Sequence, residues 1–363
     1  MIRAGILGAS GYGGSELIRR LGRHPDVAVS GLASRQFLGQ KADRGWPQLA
    51  GLPVGDLAFT DDEAVIDGAD VVFLATPHGA TAPLVARVHQ AGKVAIDLSA
   101  DYRLDAGTYT EWYGLEHPHP ELLAAARYGL VELHRAELPG ARIVAGPGCN
   151  ATAATLALAP LAAAGHLGED ASVTIATGIS GAGRSPALPL QSPEAMDSVV
   201  PYRTGGTHRH IGEVEANLGR VISAASEGGL AAARALTTHG PQKRPTITFT
   251  PMRVPMVRGI LATAVTRSPR GDPGTGELLA LYREFYAGSS LLHVQDTAPE
   301  TKAVTGTDRA ILSVQADART GMIIAFCVLD NLGLGAAGQA VQAFNVALGL
   351  NELHGLELEG RWP

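Results

Sequence analysis

Ile2-Arg-Ala-Gly-Ile-Leu-Gly8-Ala-Ser-Gly11-Tyr-Gly13-Gly14 opens the chain as a short apolar strand that breaks at glycine and gives way to a helical pattern over Ser15 to Leu21. A glycine-rich turn between a first strand and a first helix directs its backbone N–H groups at an anion on the helix N-terminus, the usual seat of a dinucleotide pyrophosphate. Gly8, Ser10, Gly11, Tyr12 and Gly13 are therefore candidate cofactor contacts, although the spacing Gly-x-x-Gly-x-Gly-Gly departs from the common fingerprint. The next strand ends at Gly31-Leu-Ala-Ser34-Arg35 and offers no carboxylate for a ribose 2′-hydroxyl. Ser34 and Arg35 suit a 2′-phosphate instead, which favours NADPH over NADH.

Working outward, short apolar runs alternate with helical patterns: Val27 to Leu32, Val71 to Ala75, Ala80 to Ala91, Val94 to Leu98 and Ile143 to Ala145. This alternation predicts an α/β fold, a doubly wound parallel sheet over residues 1–148. Thr76 and Pro77, just after a strand, fall where a loop would run along the cofactor, and His78 beside them is given no chemistry. Beyond residue 148 the strands lengthen and follow one another: Ser172 to Thr177, Thr246 to Thr250, Ile260 to Thr266 and Met322 to Leu329. They predict a second, α+β domain over residues 149–330 with a mixed or antiparallel sheet. A last helix, from about Ala336 to Leu350, is apolar on more than one side and is expected to return across the junction, so that residues 331–363 complete the first domain.

Hydrophobic residues make up 45% of the 363 and charged residues 18%, with a net charge of −6. This is an ordinary soluble composition without the basic footprint of a nucleic-acid partner, and no uninterrupted apolar stretch is long enough to span a membrane. No signal peptide is evident, and the two cysteines sit in dissimilar settings, which points to a reducing cytoplasm rather than a disulfide framework. Cys327 lies in an apolar run and reads as core.

Cys149 reads differently. Gly146-Pro-Gly148 interrupts both periodic structures, and Ala151 to Ala159 is rich in helix formers, so Cys149 stands at or just before a helix N-terminus. Open N–H groups and the macrodipole there favour the thiolate, the nucleophilic form. His208-Arg209-His210 with Glu213 is the second constellation. In a helix beginning near Thr207, His210 and Glu213 share a face, so the carboxylate is expected to orient the imidazole of a general acid–base. His208 is the reserve candidate, and no metal-binding spacing is present. Arg184, Arg203, Arg209 and Arg258, in segments with few acidic residues, suggest a pocket for a carboxylate or phosphate.

Together these motifs resemble the N-acetyl-γ-glutamyl-phosphate reductase family, related to aspartate-semialdehyde dehydrogenase. The resemblance is carried by Gly8 to Gly14, Asp97-Leu-Ser-Ala-Asp-Tyr-Arg-Leu104, Tyr128-Gly-Leu130, Pro147-Gly-Cys149, Ser180-Gly-Ala-Gly-Arg184, His208 to Glu213 and Asp330-Asn-Leu332 with Gly335 to Gln342. It implies that Cys149 attacks an acyl phosphate, expels phosphate and forms a thioester that hydride from NADPH reduces to a semialdehyde. It places Ser99, Gly181, Gly183 and Asn331 at the cofactor and Asn150, Arg103, Arg184, Arg209 and Arg258 at the substrate. It also implies a homo-oligomer, a dimer or tetramer.

Two departures bear on substrate. The N-acetylglutamyl enzymes usually carry Tyr-Pro-Thr after the cysteine and a lysine at the position of Leu334, whereas this chain reads Asn150-Ala-Thr152. Asn-Ala-Thr is similar to the lysine-biosynthesis branch, whose substrate is an aminoadipyl phosphate on a small acidic carrier protein, LysW. The expected substrate is accordingly the carrier-linked aminoadipyl phosphate, with N-acetyl-γ-glutamyl phosphate of arginine biosynthesis as the alternative. A catalytically silent NADPH-binding regulator is the non-enzymatic alternative, and intact Cys149, His210 and Glu213 argue against it.

Overall fold

The computed structural model describes residues 1–236, 244–360 and 362. Strands β1 (Ile2–Leu7), β2 (Val27–Ala33), β3 (Phe59–Thr60), β4 (Val71–Leu74), β5 (Val94–Asp97), β6 (Ala126–Tyr128) and β7 (Ile143–Ala145) build one wholly parallel sheet in the order β3-β2-β1-β4-β5-β7-β6. Their apolar runs are buried on both faces, as a parallel sheet between helical layers requires. The short β3 and β6 at its two edges carry too few residues to show a period, and sequence reading misses both.

The second sheet takes β8 (Ser172–Thr177), β9 (Val200–Pro201), β10 (Thr248–Arg253), β11 (Ile260–Arg267), β12 (Leu292–Val294), β13 (Ala310–Asp317) and β14 (Met322–Leu329) in the order β12-β13-β14-β11-β8-β10-β9. It is mixed: β8 with β10 and β12 with β13 run parallel, the rest antiparallel. At its centre β11 and β14 pair in register from Ile260 opposite Leu329 to Arg267 opposite Met322. The chain therefore carries an α/β first sheet and an α+β second one, the arrangement expected from the sequence.

Helices α1 (Tyr12–Leu21), α2 (Cys149–Ala164), α3 (His210–Ala235) and α4 (Gly338–Ala347) position the rest. From Asn150 to Ala162 every residue of α2 is buried, because this helix runs between the mixed sheet and α3 and is apolar all round. Pro160 inside α2 withholds the N–H that would bond Leu156 O, and the Tyr286 hydroxyl supplies that bond at 2.6 Å. Helix α3 is interrupted at Gly228 and Gly229. A π-helical turn over Gly333–Ala337 precedes α4, so this last helical segment starts earlier and ends sooner than the apolar pattern suggested. Its Ala340, Val341 and Phe344 share a core with Leu17 and Leu21 of α1.

A line of alternating charges crosses that junction. Asp308 binds Arg20 at 2.6 Å, Arg20 binds Glu16 at 2.6 Å, Glu16 binds Arg258 at 2.9 Å and Arg258 binds Asp330 at 2.9 Å. Burial by itself would raise the Glu16 carboxyl, but Arg20, Arg258 and Arg19 hold it down at about 2. Asp308 also accepts from Glu357 N at 2.7 Å, fixing the C-terminal tail to the same point. Because Arg20 and Asp308 are fully buried, Asp308→Ala strips the buried guanidinium of its Nε and Nη2 partners while the Glu16 pair remains, and is expected to cost about 3 kcal/mol in urea unfolding. The double replacement Arg20→Met with Asp308→Leu is expected to cost less than the single one.

Candidate active site

The centre of the site is the turn Gly146-Pro-Gly148 between β7 and α2. Gly148 is the N-cap, and Cys149 is the first residue of the helix. No side chain caps that end, so the first N–H groups of α2 stay open to an anion. Cys149 is half-buried.

Glu213 and Arg103 hold this turn from behind. Glu213 Oε1 accepts from Gly148 N at 2.8 Å and from the Tyr128 hydroxyl at 2.5 Å, and Oε2 accepts from Arg103 Nη1 at 3.3 Å. Arg103 Nε donates to Gly146 O at 2.7 Å and Nη2 to Leu98 O at 3.0 Å. The pair is almost wholly buried, with side chains 4% and 1% exposed. This corrects two expectations. Glu213 has no hydrogen bond to His210, because its carboxylate is turned to Tyr128, Gly148 and Arg103; and Arg103 lies behind the cysteine turn with all three nitrogens engaged.

His210 approaches the turn from the other side. A Cβ added at Gly148 would meet His210 Nε2 at 2.4 Å, so only glycine at that position lets the imidazole lie against the residue preceding the cysteine. His210 Nδ1 is buried without a hydrogen-bond partner. Burial, with His208 and Arg103 nearby, holds the His210 imidazole well below its usual range, so it is neutral at pH 7. His208 packs edge-on against it with centroids 4.8 Å apart, and its Nδ1 accepts from His210 N at 3.2 Å.

Cys149, His208, His210 and Arg209 line one cavity of about 540 Å³ with Asn150, Tyr113, Tyr202, Arg203 and Arg253, and no carboxylate lines it among the described residues. Arg209 lies 5.2 Å from the Tyr113 ring centroid. Tyr202 and Arg253 escape sequence reading; each stands in a segment without a period, and only β9 and β10 bring them beside α2. The Asn150 side chain is buried and donates to the Tyr202 hydroxyl at 3.1 Å. Burial pushes the Cys149 thiol up to about 11, with Arg103 pulling the other way. The lowering expected of the helix N-terminus is thus outweighed by burial, and the thiol is protonated at pH 7.

Two expected substrate contacts lie elsewhere. Arg258 is committed to Glu16 and Asp330, and Arg184 reaches the glycine turn, so neither lines the Cys149 cavity. Both line an adjoining groove of about 510 Å³ with Tyr12, Trp46, Ser180 and Gly183. In the glycine turn Gly8 has φ +73, and a Cβ would meet Ala75 O at 2.4 Å, so the turn requires glycine. No side chain caps Gly11 at the start of α1, which leaves open N–H groups suited to a phosphate. Ser34 Oγ donates to Ser10 Oγ at 2.8 Å, and Arg35 is exposed just past them; among the described residues no carboxylate is bonded to this corner. These residues fit a dinucleotide carrying a 2′-phosphate. Thr76 bonds Thr81 at 2.7 Å between hydroxyls, with Pro77 exposed beside it.

Ser99 is a further correction. It is buried, donating to Asp97 at 2.9 Å and accepting from Asp101 N at 3.1 Å, so its hydroxyl organises the loop rather than facing a groove. Asn331 is buried as well, accepting from Gly259 N at 2.8 Å and donating to Ser180 Oγ at 2.9 Å, while Gly181 lies against its amide. The described His/Asp group outside the site, His24, Asp26 and His354, leaves His24 no free nitrogen, since Asn345 and Asp26 N take both.

Family models match both halves of the chain: "Semialdehyde dehydrogenase, NAD binding domain" over residues 3–141 and "Semialdehyde dehydrogenase, dimerisation domain" over residues 149–331. An N-acetyl-γ-glutamyl-phosphate reductase of Thermus thermophilus is 48% identical over 359 residues, covering 99% of this chain and 100% of that protein. One of Heliobacterium modesticaldum is 42% identical over 100% of both chains. Among solved structures, aspartate semialdehyde dehydrogenase with NADP from Candida albicans superposes with a TM-score of 0.70 at 18% identity over 95% of this chain and 98% of that one. Aspartate semialdehyde dehydrogenase II of Vibrio cholerae gives 0.68 at 17% identity with the same coverage. At such identity these two structures speak for the fold. No helix among the described residues is long and apolar enough to cross a membrane.

Because the Cys149 thiol stands at about 11, its thiolate fraction rises about tenfold per pH unit below that value. Iodoacetamide alkylation in the absence of substrate is expected to accelerate accordingly from pH 7 to 9; a plateau below pH 8 would contradict this. Gly148→Ala forces His210 away and is expected to lower kcat about 100-fold while NADPH affinity stays unchanged.

Proposed function

The chain belongs to the N-acetyl-γ-glutamyl-phosphate reductase family of semialdehyde dehydrogenases, and from that premise we propose that it reduces an acyl phosphate to a semialdehyde through a thioester on Cys149. The observation that carries this reading is a thiol at an uncapped helix start, in a cavity lined by Arg203, Arg209 and Arg253 and by no described carboxylate. Such a cavity receives a phosphorylated acid and resists a neutral substrate.

Cys149 Sγ attacks the acyl carbon, His210 accepts the thiol proton, and the acyl C–O bond breaks so that phosphate leaves with that bond's electron pair on its oxygen. The open N–H groups of α2 stabilise the oxyanion that forms at the acyl oxygen. NADPH, when bound, supplies the hydride that reduces the thioester carbon. Collapse of that tetrahedral centre expels the thiolate, and His210 returns its proton to Sγ, so that aldehyde and free Cys149 result. Glu213 and Arg103 act by fixing the turn rather than by moving a proton. Gly8, Gly11, Tyr12 and Gly13 would hold the pyrophosphate, with Ser10, Ser34 and Arg35 at the 2′-phosphate.

For the substrate, the names of the relatives support N-acetyl-γ-glutamyl phosphate over the carrier-linked aminoadipyl phosphate that Asn150-Ala-Thr152 suggested. The burial of Asn150 against Tyr202 is consistent with this, since it gives no widened mouth for a carrier tail. The carrier-linked compound stays as the second reading on the strength of that motif.

Two measurements decide. Cys149→Ser is expected to abolish reductase activity; undiminished turnover would remove the thioester. In the reverse direction, with phosphate and NADP, the free N-acetylglutamate semialdehyde is expected to be oxidised in preference to carrier-bound aminoadipate semialdehyde. The opposite preference would transfer the protein to the carrier-linked branch.

A further inference from the structure

Arg184 belongs to the second half of the chain, on the segment that follows β8, yet its guanidinium rests on the first. Nη1 donates to Ser10 O at 3.0 Å and Nη2 to Gly45 O at 3.1 Å. Its Cζ stands 4.0 Å from the Trp46 ring centroid and 5.7 Å from that of Phe37. Neither ring is loose. Trp46 Nε1 donates to Ala9 O at 2.9 Å, and Phe37 N donates to Ser34 Oγ at 3.3 Å. Arg184 therefore touches the backbone of the glycine turn itself, one residue's breadth from the Ser10–Ser34 hydroxyl pair.

Its state of pairing is equally telling. Both of its hydrogen bonds go to carbonyls, which consume two of five N–H donors and none of its charge. Stacking on an indole holds the guanidinium plane in place without neutralising it. Other arginines at this junction are spent: Arg20 on Asp308 and Glu16, Arg258 on Glu16 and Asp330. Arg184 is delivered to the groove as an oriented cation with donors to spare.

We propose that Arg184 is a nucleotide-binding residue contributed across the domain junction, taking the 2′-phosphate of NADPH. It rests on the reading of the groove as an NADPH site. A cation supplied by one domain to a nucleotide held by the other couples cofactor binding to the contact between the domains. This role replaces the contact with the acyl substrate first expected of Arg184.

Dissociation constants measured by calorimetry for NADPH, 2′,5′-ADP and 5′-AMP test it, on the full chain and on Arg184→Ala, Arg184→Gln and Arg184→Lys. Arg184→Ala and Arg184→Gln are expected to weaken NADPH and 2′,5′-ADP about tenfold or more, as the loss of a charge-assisted bond requires, and to leave 5′-AMP within about twofold. Arg184→Lys is expected to recover part of the loss. Alkylation of Cys149 without nucleotide should proceed at the unaltered rate, which shows that the variants are folded. Unchanged NADPH and 2′,5′-ADP affinity in Arg184→Gln, or an equal loss for 2′,5′-ADP and 5′-AMP, overturns the proposal. Failure of the unaltered protein to bind NADPH instead overturns the reading of the groove on which it rests.

Discussion

The buried pair between Arg103 and Glu213 is the constraint on which the Cys149 site depends. Each ion costs several kcal/mol to desolvate, and that cost is offset only because every polar atom of the pair finds a partner. Those partners are Gly146 O, Gly148 N, Leu98 O and the Tyr128 hydroxyl, so the pair grips both ends of the turn that presents Cys149. Loops after β5 and β7, strand β6 and helix α3 all meet at this one point. The direction in which α2 begins is therefore set where the first sheet abuts the second domain.

The charges of the molecule are divided by this arrangement into two kinds. Along the junction they alternate and cancel, from Asp308 through Arg20, Glu16 and Arg258 to Asp330, and they serve rigidity. In the cavity, and at Arg184 in the groove, they do not cancel, because Arg203, Arg209, Arg253 and Arg184 have no described carboxylate at hydrogen-bond distance. Burial meanwhile keeps Cys149 and His210 uncharged, one as thiol and the other as free base. Two neutral groups inside a cationic cavity suit a nucleophile that is needed only when an anionic acyl compound is present.

Sequence reading reached the long strands because β8, β11 and β14 are bounded by breaks and rich in β-branched residues. It missed β13, where Ser313 and Gln315 interrupt the apolar run even though Ser313 is buried. At the site it identified Cys149 and His210 from local chemistry. It read Glu213 as a partner of His210 from helical spacing, which does place them on one helix. What spacing cannot contain is a competing partner from another element. Arg103 and Tyr128 lie on distant segments, and their claim on the carboxylate decides its orientation.

The sequence by itself determined the glycine turn that opens α1, the interruption that starts a helix at Cys149, and the apolar periods that make one parallel and one mixed sheet. These are local properties, fixed by backbone sterics and by the alternation of side chains along a few neighbouring residues. Tertiary structure alone decided which charges are spent and which remain available. Arg103, Arg184, Arg203, Arg209, Arg253 and Arg258 are chemically the same in the sequence. Only their distances to a carboxylate separate an ion pair that stiffens the junction from a cation left to meet an anionic ligand, because electrostatic energy depends on separation and burial rather than on position along the chain.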